Sequence, residues 1–370
     1  MSSKADDNTP PEYVTTFPHY TEADINQSLS AFNACYLLPD KNIYRAKYNR
    51  KAVAAIWVQA IYFDMIMNAY KRTKDIQYKN LMEDIYQGNY DHYAQYDFDN
   101  GKVWFIYDDI MWWVISLGRA YELTGEEKYL NFSKAGFKRV WSGSPVVGDL
   151  GSYDSIGGGM YWRWRPEAPT VIDNGKMSCI NYPTVIGAMT LYNATKDTSY
   201  LNKAKEIYDW SRANLFDTEK GRVADSRHGK GRPNWSLHVY NQATCIGAAM
   251  MLYKETGKQQ YLDDAILTAD YTKNQMCTNG FLPFENGIEQ GIYNAIFAQY
   301  IIRLIEDGKQ SQYLPWLRYN IDSGWGNRNQ NNITHKDHAN PAPDLISIES
   351  YDASGIPAFM QVIPPVGKEK

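Results

Sequence analysis

At 370 residues, with 44% hydrophobic and 22% charged, the chain can bury a sizeable core and is too apolar to be disordered. A net charge of −4 with no basic stripe argues against nucleic acid as a partner, and no apolar run is long enough to span a membrane. Aromatic residues are the outlier at 14%, with 30 Tyr and 11 Trp, so many rings are expected to line a groove for a planar or saccharide ligand. Residues 1–20 are expected to be disordered or extended, and their polar start reads as a mature N-terminus without a signal peptide. Thr21-Glu22-Ala23-Asp24 then reads as a capping box for a first helix ending near Tyr36. A second helix, from about 51 to 72, carries Ile56, Ala60, Phe63, Met67 and Tyr70 on one face. Gln59 and Asp64 on that helix are expected to reach inward, toward a ligand or into a core network.

One kind of helix end recurs down the chain. Tyr70-Lys71-Arg72-Thr73-Lys74, Tyr121-Glu122-Leu123-Thr124-Gly125, Tyr192-Asn193-Ala194-Thr195-Lys196 and Tyr253-Lys254-Glu255-Thr256-Gly257 each close a helix with a Thr-Lys or Thr-Gly turn. A Tyr opens the next helix each time, at Tyr78, Tyr129, Tyr200 and Tyr261, and a degenerate copy spans 304–314. Hairpins this long, at uneven spacings of about 50 to 70 residues, suit a closed ring better than an open solenoid. The expected fold is all-α, an (α/α)6 barrel in one domain spanning 1–370. Loops 87–104, 141–176, 216–240 and 276–290 should share the rim opposite the short turns. Residues 324–370, rich in Asn, Pro and Asp, are expected to form an extended tail covering Ile356, Phe359, Met360 and Val362.

On that rim, Val103-Trp104-Phe105-Ile106-Tyr107 leads into Asp108-Asp109. Ile110, Trp113, Val114, Leu117 and Tyr121 recur at steps of three and four, which predicts a helix over 108–123 with both acids in its first turn. Acids there cap free N–H groups and complement the helix dipole. Two carboxylates walled by Tyr107, Trp112 and Trp113 are also the minimum kit for glycoside hydrolysis. Neighbouring helical residues point about 100° apart, so the pair suits the short carboxyl spacing of a retaining enzyme, roughly 5 to 5.5 Å. Like charges at close range split their pKa values, but the residues alone do not show which is acid and which nucleophile. Downstream, Gly157-Gly158-Gly159 before Met160-Tyr161-Trp162 reads as a flexible turn or as close backbone approach to a ligand beside a Trp platform. Tyr240-Asn241-Gln242 opens another helix with the neutral amides that sugar hydroxyls prefer. Six His residues form no HExxH or His/Cys cluster, so a zinc site is not expected, and no cofactor is called for. Cys35, Cys179 and Cys245 lie in helical segments as buried free thiols.

Tyr107-Asp108-Asp109-Ile110-Met111-Trp112-Trp113, Gly157-Gly158-Gly159-Met160-Tyr161-Trp162, Tyr240-Asn241-Gln242 and the Tyr-Leu helix openings together resemble glycoside hydrolase family 76, from about 55 to 300. The resemblance implies an (α/α)6 barrel with metal-free, endo-acting α-1,6-mannanase activity and retention of configuration. It implies Asp108 as nucleophile and Asp109 as acid/base. Trp112, Trp162, Tyr240 and Asn241 are expected sugar contacts, and Asn181, after a partly matching Gly175-Lys176 segment, is a further candidate. The implied partner is α-mannan or its oligosaccharides, met by an exported, periplasmic or surface monomer. A mannan-binding protein and a transglycosylase on the same scaffold are the alternatives. A hydrolase of unsaturated uronides is a third, through Arg163, Arg165, Arg227 and Arg232.

Overall fold

The capping box at Thr21 forms as expected: its hydroxyl accepts from the Asp24 N–H, and the Asp24 carboxylate accepts from the Thr21 N–H at 2.8 Å. Helix α1 (Glu22–Tyr36) follows. The computed structural model describes residues 12–165, 168–172, 175–287 and 289–369, with side chains outside 164–172. The expected N-terminal segment therefore falls largely outside the described residues. Helix α2 (Ile56–Thr73) begins later than the sequence suggests. Arg45 pairs with Val53 across an antiparallel bridge, which holds the preceding residues extended.

From there the helices alternate in pairs: α3 (Ile76–His92), α4 (Tyr107–Thr124), α5 (Glu127–Ser142), α6 (Ser178–Thr195), α7 (Thr198–Leu215), α8 (Val239–Thr256), α9 (Gln259–Tyr271), α10 (Tyr293–Glu306) and α11 (Leu314–Gly326). The recurring Thr has a physical cause. In each of four turns its hydroxyl donates to the carbonyl four residues back, at 2.7 to 2.8 Å, and accepts from the N–H two residues on, at 3.1 to 3.2 Å. The next residue takes left-handed φ and ends the helix: 58° at Lys74, 71° at Gly125, 60° at Lys196 and 68° at Gly257.

Helices α2, α4, α6, α8 and α10 pack each against the next. The ring is closed by α13 (Gly355–Val362), which lies against both α10 and α2 and follows a single turn, α12 (Ser350–Ala353). Residues 327–344 form turns and irregular chain with no helix or strand, and the end of the tail is the sixth inner helix. Outside, α3, α5, α7 and α9 pack on their hairpin partners, and α1 and α11 pack on α13. The inner helices are buried nearly all round; in α6 every residue from Ser178 to Leu191 is buried. The aromatic excess goes mainly to this core rather than to a groove. Trp104, Trp112, Trp113 and Trp316 are buried, as are Tyr36, Tyr44, Tyr62, Tyr96 and Tyr107. Among the described residues sheet is limited to short ribbons, of which Gly175–Met177 with Ser226–His228 joins two of the rim loops.

Candidate active site

The start of α4 is fixed from both sides. Tyr107 donates its N–H to the Trp162 carbonyl at 3.1 Å and its hydroxyl to Asp149 at 2.5 Å. Asp149 is buried, and Arg139 of α5 donates to it at 2.9 Å. This buried acid–phenol–guanidinium cluster and the bridge between Ile106 and Arg163 set the direction in which the first turn emerges. Ile106 stands at the N-cap and makes no side-chain capping bond, and both acids fall in the first turn of α4. Both Asp108 and Asp109 are half-buried, and one carboxylate oxygen of Asp108 is sealed from solvent without a hydrogen-bond partner.

Burial pushes both carboxyls above the usual carboxylate range, but not equally. For Asp108 the Cys179 thiol and the backbone N–H groups of Asp108 and Asp109 pull the other way. The charge of Glu289 raises both, but Asp109 has no such hydrogen bonds and also feels the charge of Asp108, so it is raised well above its ordinary value. The pair can therefore share a proton unequally, with Asp109 as the holder and Asp108 as the anion.

Other elements close in around the pair. Trp57, in the first turn of α2, lies 5.7 Å from the Trp112 ring and donates its indole N–H to Glu289 at 2.8 Å. Cys179, in the first turn of α6, lies between Asp108 and the Tyr240 hydroxyl. Tyr240 stacks on Tyr293 of α10 with ring centroids 4.0 Å apart and planes 9° from parallel. His238 bridges two rim loops by pairing with Glu285 and lying 3.5 Å from Asp225. Its burial opposes protonation, but the two carboxylates outweigh that and raise its pKa.

Not every expected contact belongs to this group. Gln59 is buried, with its amide spent on the Tyr44 N–H and the carbonyls of Tyr44 and Ala54, so it ties a ribbon to α2 instead of meeting a ligand. Asp64 is buried in an ion pair with Arg119 at 2.7 Å and accepts from Ser116, a core network inside the barrel. Asn181 is also buried, and its amide clamps the backbone of Met160 and the carbonyl of Met177. Gln242 likewise spends its amide on Val223, Gly221, Thr268 and Thr272. Gln59 and Asp64 take the core-network outcome of the two expected, Asn181 and Gln242 are corrections as ligand contacts, and one reason covers all four. An amide or carboxyl facing into a closed ring of helices finds backbone partners before it finds solvent.

The triple glycine is a second correction. Gly158 and Gly159 have φ of 73° and 76°, and a Cβ on either would come within 2.7 Å of the Trp210 ring. The close approach is to the protein's own Trp210. Asp154 braces the same loop, accepting from Lys176 at 2.7 Å. Trp112 is buried, with its ring against that of Trp57. Trp162 is half-buried under the Arg163 guanidinium, 4.3 Å from its ring centre. Tyr240 is nearly buried against Tyr293, while Asn241 is fully buried with both amide atoms unpartnered. Arg227 is taken by Asn214 and the Gly231 carbonyl, Arg232 is exposed, and the Arg165 side chain lies outside the described residues.

Trp57, Glu289, Tyr293, Glu285 and Asp149 are brought to the pair or its supports by the fold, and their residue types in the sequence give no warning of it. The one signal is position: Glu285 and Glu289 fall in a long rim loop.

A sequence model described as Glycosyl hydrolase family 76 matches residues 28–344. Among solved structures, an inactive variant of an α-1,6-mannanase from Salegentibacter sp., with two adjacent Asp residues replaced by Asn and α-1,6-mannotriose bound, superposes with a TM-score of 0.80. It is 23% identical, over 92% of this chain and 98% of that one. A family 76 mannosidase from Bacteroides thetaiotaomicron gives 0.76 at 19% identity over 92% and 96% of the two chains. The Dfg5 protein of Chaetomium thermophilum gives 0.73 at 15% identity over 95% and 94%. These likenesses show a shared (α/α)6 barrel fold. With the match covering most of the chain, it follows that this protein belongs to glycosyl hydrolase family 76, a family of glycoside hydrolases.

Proposed function

We propose that the protein is a retaining endo-α-1,6-mannanase acting on the backbone of yeast-type mannan. The observation that carries the reading is the unequal environment of two adjacent half-buried carboxyls at the start of α4. Asp108, held closer to its anionic form, attacks the anomeric carbon. Asp109 delivers its proton to the departing glycosidic oxygen as that bond breaks. Asp109 then takes a proton from water, and the hydroxide oxygen displaces Asp108 from the sugar. Two inversions leave the product with the configuration of the substrate. That two adjacent Asp residues are the positions replaced in the inactive Salegentibacter variants supports this assignment, and α-1,6-mannotriose and α-1,6-mannotetrose bound to those variants support the polymer. A polymer of this kind lies outside the cell, so the enzyme is proposed to act there, as a monomer.

The test is incubation with unbranched α-1,6-mannan, with products sized over time and the anomer of the first-formed product read by NMR. Short oligosaccharides appearing as the α-anomer before mutarotation are expected. A β-anomer would overturn the retaining mechanism, release of mannose alone would overturn endo action, and binding without cleavage would leave a mannan-binding protein.

A further inference from the structure

We propose that Glu289 is a positioning residue of this site, held by Trp57 so that its carboxylate sets a third negative charge against Asp108 and Asp109. The role in turnover rests on the function proposed above; the electrostatic role does not. The geometry is a junction of three elements. Trp57 comes from the first turn of α2, Trp112 from α4 one turn beyond Asp108, and Glu289 from the rim loop that leads into α10. The Trp57 indole N–H donates to one Glu289 oxygen at 2.8 Å, and the Trp57 ring lies 5.7 Å from that of Trp112. The bond fixes the carboxylate and the aromatic wall together.

The Trp57 indole that holds Glu289 is a neutral donor, so the bond fixes the carboxylate without cancelling its charge. The titratable groups around Asp108 and Asp109 of α4 and Glu289 are Tyr93 at the end of α3, Cys179 of α6, Asp225 and Glu285 of the rim loops, Tyr240 of α8, Tyr293 of α10 and Tyr351 of α12. His238, whose pKa its two carboxylate neighbours raise, is occupied by Glu285 and Asp225. A third carboxylate in a partly desolvated site makes a second ionisation there harder. It keeps the proton on Asp109, ready for the leaving group, and its negative charge favours the positive charge that develops on the sugar. A bare hydrogen-bond acceptor for Trp57 would do neither.

Glu289→Gln separates the two roles, because its amide oxygen can accept the same indole N–H while the charge is gone. The measurement is a titration of carboxyl carbons by NMR in Asp-labelled protein, beside the pH profile of kcat/KM on α-1,6-mannan. In the variant, the upshifted Asp titrations should fall by on the order of half a pH unit or more. The alkaline limb of the profile should move down with them, while KM stays within about twofold. Unmoved titrations in folded Glu289→Gln would overturn the proposal. Glu289→Asp, which draws the charge back by one methylene, should give a smaller shift, and its absence would count the same way. A shifted titration in a protein that never cleaves mannan would sink the proposed function and leave the electrostatic role standing. An active wild type with unmoved titrations would do the reverse.

Discussion

Asp108 and Asp109 are costly to ionise in the folded chain, and that cost is measurable without any substrate. Burial raises both folded pKa values above the unfolded value of about 4, so the folded state holds protons that the unfolded state releases. Stability should therefore fall as pH rises from about 4 through the folded values. Asp109→Asn, which is neutral at every pH, should be more stable than wild type at pH 7 by roughly 1–2 kcal/mol, and should gain nothing at pH 3. Urea unfolding at the two pH values checks this; equal stability at pH 7 would mean the carboxyl is better solvated than its surroundings indicate. The pair was legible in the sequence because its members are adjacent and helix period fixes their place. Glu289 was not, because it lies more than two hundred positions from Trp57 and only ring closure brings them together. Gln59 and Asp64 stayed open between ligand and core for a related reason. Periodicity says that a residue faces inward, but not whether backbone or solvent waits for it there.

At the scale of an element, the short turns are the most predictable part of the molecule. Lys74 and Lys196 occupy left-handed positions that Gly125 and Gly257 fill in the sister turns. A residue with a Cβ pays roughly 1 kcal/mol in that conformation. Lys196→Gly should therefore stabilise the protein by about 0.5–1 kcal/mol, after loss of the Lys196–Tyr192 contact is counted. Thr195→Val should destabilise it by about 1 kcal/mol by removing both bonds of the hydroxyl. Chemical denaturation of the two single variants measures both. The repeated Thr was visible in the sequence because each hairpin needs the same local bonds. Helix α13 was not visible. All but its last residue are buried, so it has no polar face and no period to detect.

For the whole molecule, closure of the ring joins the two ends of the chain. The sixth hairpin partners are α1 and α13, which contact each other although they are the first and last helices. Five hairpins are local in sequence and could be read directly; the sixth is made by distant segments and could not. Phe359 of α13 is buried against Phe297 of α10, with ring centroids 6.4 Å apart. Phe359→Ala should cost about 3–5 kcal/mol, as expected for a large core ring. It should also lower the thermal midpoint of the whole barrel in one transition, since all five remaining inner helices depend on closure. A separate early transition confined to the C-terminal segment would show that α13 is an appendage instead. The same closure carries the α2 platform and the loop before α10 to the start of α4, which makes the site a property of the ring and not of any one hairpin.

The central claim is that Asp108 and Asp109 carry the chemistry. It is tested most directly by comparing wild type, Asp108→Asn and Asp109→Asn on unbranched α-1,6-mannan, with oligosaccharide binding measured in parallel. Wild type should release short oligosaccharides, while each variant should lose at least about a thousandfold in turnover and still bind the sugar. Full hydrolytic activity in either variant would contradict the account.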